Sequence, residues 1–584
     1  MCCDTKDTSS RQFANTYHVS AQSPIPSSIM ALDLPLPILL VLLSAPQALL
    51  VKALIPEQNL RVPITPIVLG LIAINFGVWA FYRVAIYPFF FSPFRHLPQP
   101  KEGGYPIINQ GLVIMKKPPG AEFLKWMRNI PNEGLIMFRG ILNMERLLPT
   151  DPKYLSEILV HKSYDFEKPG RARRFLRIIL GDGLIIVEGD EHRFQRKSLM
   201  PFFSYRNIKD LYGIFFAKSG QFMDCLSQEI DENSKKTEND AGAVVEINHW
   251  STKVTLDIIG VAALGRDFNS LRNTDDPVVP LYEEILEPTA EKALFFTLHL
   301  IGFEKIVRLL PWKINERLDY TTSSLRKLCR QFLADKKEKV KLDTEGVQKD
   351  ILSVIMRSNQ FGDELLIDEL LTFLAAGHET TSSAFTWATY LLAKNPTAQT
   401  KLRNEVKTHL AEELANPDDQ ESMALADKLE SLPYLNAVCN EVLRLYPTVP
   451  VTIRDAVRDT TIADQFIPKG TQLILSPWAI NRSPRLWGAD SETFKPDRWI
   501  DANGKANNHG GASSNYCQLT FLHGPRSCIG QRFAQSELRA LLASFVGRFE
   551  WDLAMPEDQV IPAGVITTKP KHGMKLKVRK VLPA

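Results

Sequence analysis

Two apolar runs stand out near the start of the chain. Residues 1–30 carry no apolar block and read as a disordered polar leader. Leu34–Val51 comes next, interrupted by Pro35, Pro37 and Pro46, and then Ile64–Phe81, whose one strongly polar residue is Asn75. About 18 mostly apolar residues suffice to cross a bilayer. The second run is therefore the better membrane helix, best placed over residues 64–84. The prolines of the first predict a kinked helix or one lying in the interface. Trp79, Phe81, Tyr82 and Tyr87 make an aromatic belt, with Arg83, Arg95 and Lys101 beyond it. This pattern predicts a membrane anchor over residues 31–90 and a cytosolic position for the rest of the chain. A buried core helix is the alternative, and the aromatic belt speaks against it. Both runs begin too far from Met1 for a cleaved signal peptide.

Residues 91–100 are proline-rich, which predicts a stiff spacer. From residue 101 to 584 helical patterning dominates. Gly134–Arg139 and Glu145–Leu148 read as short strands, and Asp151-Pro152 as a helix start. A long helix is predicted from Gly362 to Lys394, stopped ahead of Pro396. Further helices are predicted over Leu435–Leu445 and Ile529–Ala540. Asp231–Gly242 and Asp501–Asn515 are polar and predict surface loops.

The chain has 584 residues, a formal net charge of +3, 45% hydrophobic residues and 23% charged ones. That is ordinary globular composition, and the charge is too small to point to nucleic acid. Its seven cysteines are Cys2, Cys3, Cys225, Cys329, Cys439, Cys517 and Cys528. They form no CxxC pair, which argues against a disulfide framework or zinc site and for a reducing compartment.

One cysteine has a distinctive setting, Phe521-Leu522-His523-Gly524-Pro525-Arg526-Ser527-Cys528-Ile529-Gly530. A lone cysteine is usually a structural thiol. Here it stands just ahead of a predicted helix, whose free N–H groups and positive dipole end favour a thiolate. Such a thiolate can ligate haem iron and push electron density toward oxygen. Gly524 and Gly530 let the backbone turn and approach a porphyrin. Phe521 can shield the sulfur, and Arg526 can pair with a haem propionate. A second constellation is Ala376-Gly377-His378-Glu379-Thr380-Thr381 within the long helix. Ala376 and Thr380 share a face, and small Ala376 and Gly377 leave room beside it. Thr380 can offer its hydroxyl to oxygen instead of to its own turn, and Glu379 a carboxylate for proton relay. His378 lies about 200° around the helix from Thr380 and is not a ligand candidate.

These residues resemble the cytochrome P450 family. Phe521–Gly530 matches its F-x-x-G-x-R-x-C-x-G signature, and Ala376–Thr381 its A-G-x-E-T-T motif. Glu441 and Arg444 match the E-x-x-R pair, which the resemblance implies is buried and joined by a third residue. Arg498 matches the arginine of the P-x-R-F segment, with Trp499 in place of the usual Phe. His192 stands where the family commonly has Trp in W-x-x-x-R, with Arg196 as the matching arginine; both are expected at a propionate. Arg454 resembles a third propionate contact. The likeness spans about residues 95–580. It implies a mostly α fold with a small β-rich subdomain, and haem b held between the long helix and Cys528. The implied reaction inserts one atom of O2 into a lipophilic organic substrate with electrons from NADPH. The implied partners are a membrane-bound NADPH–cytochrome P450 reductase, with cytochrome b5 a further candidate. Pocket residues are expected at Val449–Thr452, Val565–Thr567, Leu374 and Ala375. The anchored form resembles microsomal members at the endoplasmic reticulum, and fungal enzymes of secondary metabolism. A haem-thiolate isomerase or dehydratase and a non-catalytic haem sensor are rival readings. The intact Glu379-Thr380 pair speaks against both.

Overall fold

The computed structural model describes residues 35–581 apart from 55–62, 102–103, 105–106, 114–115, 238–241, 273–280, 282–283, 285–288, 343–349, 419 and 565. The leader expected over residues 1–30 and the pocket position Val565 lie outside the described residues. The chain forms two compact units, Met1–Ile86 and Tyr87–Ala584.

In the first unit, helices Leu36–Leu54 and Ile64–Phe81 pack together. Both are long and apolar enough to cross a membrane, with mean hydropathies of 1.9 and 2.0 over their spans. The first is one helix with Pro46 inside it rather than a segment broken by its prolines. A single proline removes one intrahelical bond, and the turns on either side persist. The structure also gives a reason for Asn75 in an otherwise apolar run. Its amide donates to Ser44 Oγ at 2.9 Å and Gln47 Oε1 at 2.7 Å on the first helix. Polar contacts of this kind join helices that have little hydrophobic reason to associate in lipid.

The second unit is mostly helical with small sheets, as expected. Its largest hydrophobic cluster surrounds the helix Asp363–Lys394. This helix is buried along most of its length, and polar residues such as Asp368, Glu369, Ser382 and Thr386 lie among its buried positions. It lies against Ile247–Ile259 and Gln531–Arg548. Asp363 and Glu364 in its first turn suit the positive end of the dipole. It stops at Asn395, and Pro396 becomes the first residue of the next helix.

The strands Leu135–Arg139 and Glu145–Pro149 pair antiparallel, Leu135 opposite Pro149 and Arg139 opposite Glu145. They continue through Gln472–Leu475 and Thr452–Ala456 to Phe166–Glu167 in one five-stranded sheet. A second core lies against it. Asp151 caps the helix Pro152–Ser156 by accepting from the Lys153 N–H at 2.9 Å. One expectation fails. The helix Tyr212–Thr237 runs well into Asp231–Gly242, where polar composition predicts a loop. A polar helical end has the same composition as a loop, so composition cannot separate the two.

Candidate active site

Cys528 sits at the end of a tightly braced loop. Its N–H donates to the Phe521 carbonyl at 2.9 Å, and the Ser527 N–H to Gly524 O at 3.1 Å. The helix Gln531–Arg548 begins directly after it, with Gly530 as N-cap. Burial pushes the Cys528 thiol up, opposed by a hydrogen bond from the Gly530 N–H and by the nearby Arg196 guanidinium. A bound metal ion would remove that proton outright. Cys528 lies deep among protein atoms yet keeps open surface, as a residue lining an interior cleft does. Gly524 has φ +75°, and a Cβ there would stand 2.1 Å from the Leu159 carbonyl oxygen. Its glycine is therefore demanded by the loop's own packing.

The long helix is buried from Leu366 to Leu374 and again from Thr381 to Leu392, but Ala375, Ala376, Gly377 and Thr380 keep open surface. These half-open residues mark the face turned toward a cleft. Gly377 also serves the packing of the helices. A Cβ there would lie 2.6 Å from Ile259 Cδ1, so its smallness admits the neighbouring helix. The Thr380 hydroxyl donates to Ala376 O at 2.8 Å. This corrects the expectation of a hydroxyl free of its own turn: in apolar surroundings the nearest acceptor is the carbonyl four residues back. The hydroxyl oxygen remains available as an acceptor. Glu379, the expected relay carboxylate, is buried. It accepts from Thr567 Oγ1 at 2.8 Å and pairs with Lys569 Nζ at 3.2 Å. Lys569 and Thr567 both keep some open surface. His378 is buried, with Nδ1 2.7 Å from Leu374 O.

The expected propionate residues converge in one place. Arg526 reaches the Phe166 carbonyl, lies 4.7 Å from the centre of the Tyr164 ring, and comes within 2.5 Å of Glu188. Arg454 is 3% exposed and donates to Thr452 Oγ1 at 3.0 Å and Ile453 O at 2.8 Å. Burial pushes its guanidinium down to about 10. Arg196 donates to Ser527 O at 2.6 Å, tying it to the cysteine loop. His192 is buried with Nδ1 3.3 Å from the Tyr164 hydroxyl. Burial, then Lys168 and Arg526, push its imidazolium down to about 4. It is thus neutral at physiological pH and acts as a hydrogen-bonding group rather than a charge. Arg196 Nε and Arg526 Nε are buried without a hydrogen-bond partner, while Arg526 Nη2 and Glu188 Oε2 meet only as an ion pair. Unpartnered buried donors are costly. Donors of this kind, close to Arg454, fit a group carrying carboxylates, as haem does.

The remaining motif braces this loop from behind. Glu441 and Arg444 are 0% exposed and joined twice, Nε to Oε2 and Nη2 to Oε1, each at 2.8 Å. Arg498 Nε adds a bond to Glu441 Oε1 at 3.0 Å, and the Lys495 N–H another at 2.9 Å. Trp499, the departure from the family's Phe, donates its indole N–H to Glu441 Oε2 at 2.9 Å. The substitution therefore adds a donor to the network. Arg444 also donates to Asn481 O at 2.7 Å. Asn481 in turn accepts from the Leu519 N–H at 2.8 Å and donates to Thr520 Oγ1 at 3.0 Å, just upstream of the cysteine loop. Asn481, Thr520, Lys569, Lys168 and Glu188 carry no sequence signal that singles them out, and Thr567 is expected only as a pocket residue.

The comparisons with known proteins agree with this geometry. The family model for cytochrome P450 matches residues 99–576. The cytochrome P450 monooxygenase sphH of Aspergillus fumigatus is 42% identical over 86% of this chain and 91% of its own length. FUM15 of Gibberella moniliformis is 37% identical over 87% and 92%, and ptmK of Penicillium ochrochloron 37% over 87% and 97%; both are cytochrome P450 monooxygenases. The chain therefore belongs to the cytochrome P450 family, whose haem is ligated by a cysteine thiolate.

Proposed function

We propose that this chain is a membrane-anchored monooxygenase in which Cys528 ligates haem iron and one atom of O2 enters a lipophilic organic substrate. The observation that carries the reading is the pairing of one open but protein-enclosed cysteine with buried cations whose donors lack partners. When bound, haem supplies the reductive splitting of oxygen. Arg196, Arg454, Arg526 and His192 would hold its propionates. Thr380 would stand beside the oxygen site with its oxygen as acceptor. Glu379 would pass protons inward, and Lys569 would link Glu379 to solvent.

Electrons would come from NADPH through a reductase docked on the outer side of the cysteine loop. A groove there carries Arg193, Arg196 and Lys197 beside Gly524 and Ser527, a charge pattern suited to an acidic partner. Cytochrome b5 would use the same face. A role in secondary metabolism is consistent with the kinship to fungal monooxygenases. With reductase, NADPH and 18O2, lipophilic substrates taken up by the enzyme should gain one labelled oxygen each. Product appearing without NADPH or oxygen would instead establish an isomerase.

The two apolar helices would fix the protein in the endoplasmic reticulum membrane, with the catalytic unit in the cytosol. Carbonate extraction should leave the full-length chain in the membrane pellet, and protease outside intact microsomes should digest its bulk. A catalytic unit protected from that protease would reverse the orientation.

A further inference from the structure

Glu188 is a buried carboxylate that neither the signature motifs nor the proposed reaction uses. Its side chain is 4% exposed, on the residue just before the helix Gly189–Leu199. Oε1 accepts the Lys168 N–H at 3.0 Å and lies 3.6 Å from Lys168 Nζ; Oε2 lies 2.5 Å from Arg526 Nη2. Arg454 is close enough to act on it through space. The short Arg526 contact is one of charge: Glu188 Oε2 and Arg526 Nη2 both lack a well-directed hydrogen bond. The guanidinium is thus held from one side while its remaining donors point elsewhere.

Lys168, Arg196, Arg454 and Arg526 supply four positive charges and Glu188 one negative, a net of +3. Two haem propionates would bring this to +1. Without Glu188 the loaded site would hold +2, and without Lys168 it would hold 0. Reduction of haem adds one negative charge, so each change alters how readily the site accepts an electron. Fixed charges in a poorly hydrated interior act strongly on a redox centre.

We propose that Glu188 and Lys168 form a charge lock behind the haem propionates, in which Glu188 braces Arg526 and the pair sets the haem reduction potential. This rests on the assignment of Arg454 and Arg526 to the propionates. Both are positioning residues that act through Arg526 and through the local field.

The test is a spectroelectrochemical titration of full-length, haem-loaded protein in nanodiscs. Glu188→Gln keeps the shape and an acceptor for the Lys168 N–H but removes the charge, so its potential should shift positive. Lys168→Gln should shift it negative, and the double variant should return close to wild type. Glu188→Asp, which keeps the charge, should stay near the wild-type potential. Transfer of haem to apomyoglobin should be several-fold faster from Glu188→Gln than from wild type. A purely structural Glu188 would leave the potential unmoved, or would move it in the same direction in both single variants; either result overturns the lock. Should Glu188→Gln fail to fold, Lys168→Gln and Glu188→Asp decide the matter by the same signs. Wild-type protein that holds no thiolate-ligated haem would instead refute the site assignment on which the lock rests.

Discussion

Arg444→Ala is expected to yield almost no haem-loaded protein. Arg444 and Glu441 have no exposed surface, and Arg444 also donates to the carbonyls of Asn481 and Ser491. Removing the guanidinium strips Glu441 of its bidentate partner and leaves two buried carbonyls short of a donor. Breaking a buried pair from one side costs about 3–5 kcal/mol, a large share of a typical margin of about 5–15 kcal/mol. The damage does not stay local. Asn481 holds Leu519 and Thr520, and Thr520 Oγ1 donates to Leu443 O at 2.7 Å, so the segment leading into the cysteine loop loosens with it. Haem-to-protein ratio by pyridine haemochrome absorbance and the melting temperature are the measurements. The control is the exposed pair Lys341–Glu338, where each side chain is 72% exposed. Lys341→Ala should lose a few tenths of a kcal/mol at most and keep its haem. Normal haem content in Arg444→Ala would mean that the network contributes little.

Thr380→Ala should keep consuming NADPH in the presence of substrate while product falls by about 10²-fold or more, the usual contribution of positioned proton transfer. The reductant should emerge as peroxide. Thr380 stands on the half-open face of the long helix, and the donor side of its hydroxyl is engaged by Ala376 O. Its oxygen is therefore set to accept, and donation toward the cleft requires the bond to Ala376 to switch. Alanine removes both possibilities without changing helix packing, because Thr380 is not part of the close-packed core. NADPH use, peroxide and product measured together separate the outcomes. Turnover unchanged in the variant would assign proton delivery to another group.

Much of this site is legible in the sequence because its chemistry sits in short windows. Cys528, Gly530 and Arg526 lie within five consecutive residues, and a loop entering a helix fixes their relation locally. Ala376 and Thr380 are one helical turn apart, so their shared face follows from the helix alone. Contacts across the chain are not legible. Thr567 reaches Glu379 over 188 residues, and only the fold brings the Lys569–Pro570 strand to that helix. Glu188 and Arg526 meet in the same way. The direction of the Thr380 hydroxyl and the burial of Glu379 depend on which acceptors and cations the fold supplies. Gly377 and Gly524 stand out in the sequence, but their contacts with Ile259 and Leu159 do not: a glycine reports close approach, and the sequence does not say of what. Trp499 reads as a mild departure because its indole partner lies 58 residues away.

The central claim is that Cys528 carries the haem iron, and the spectrum of the reduced protein under carbon monoxide tests it most directly. Wild type should show the red-shifted Soret band of a thiolate-ligated haem. Cys439→Ser, at a cysteine buried in the hydrophobic core, should keep it. Cys528→His should lose that band while still folding. If Cys528→His retains it, another cysteine ligates the iron and the assignment is wrong at its centre.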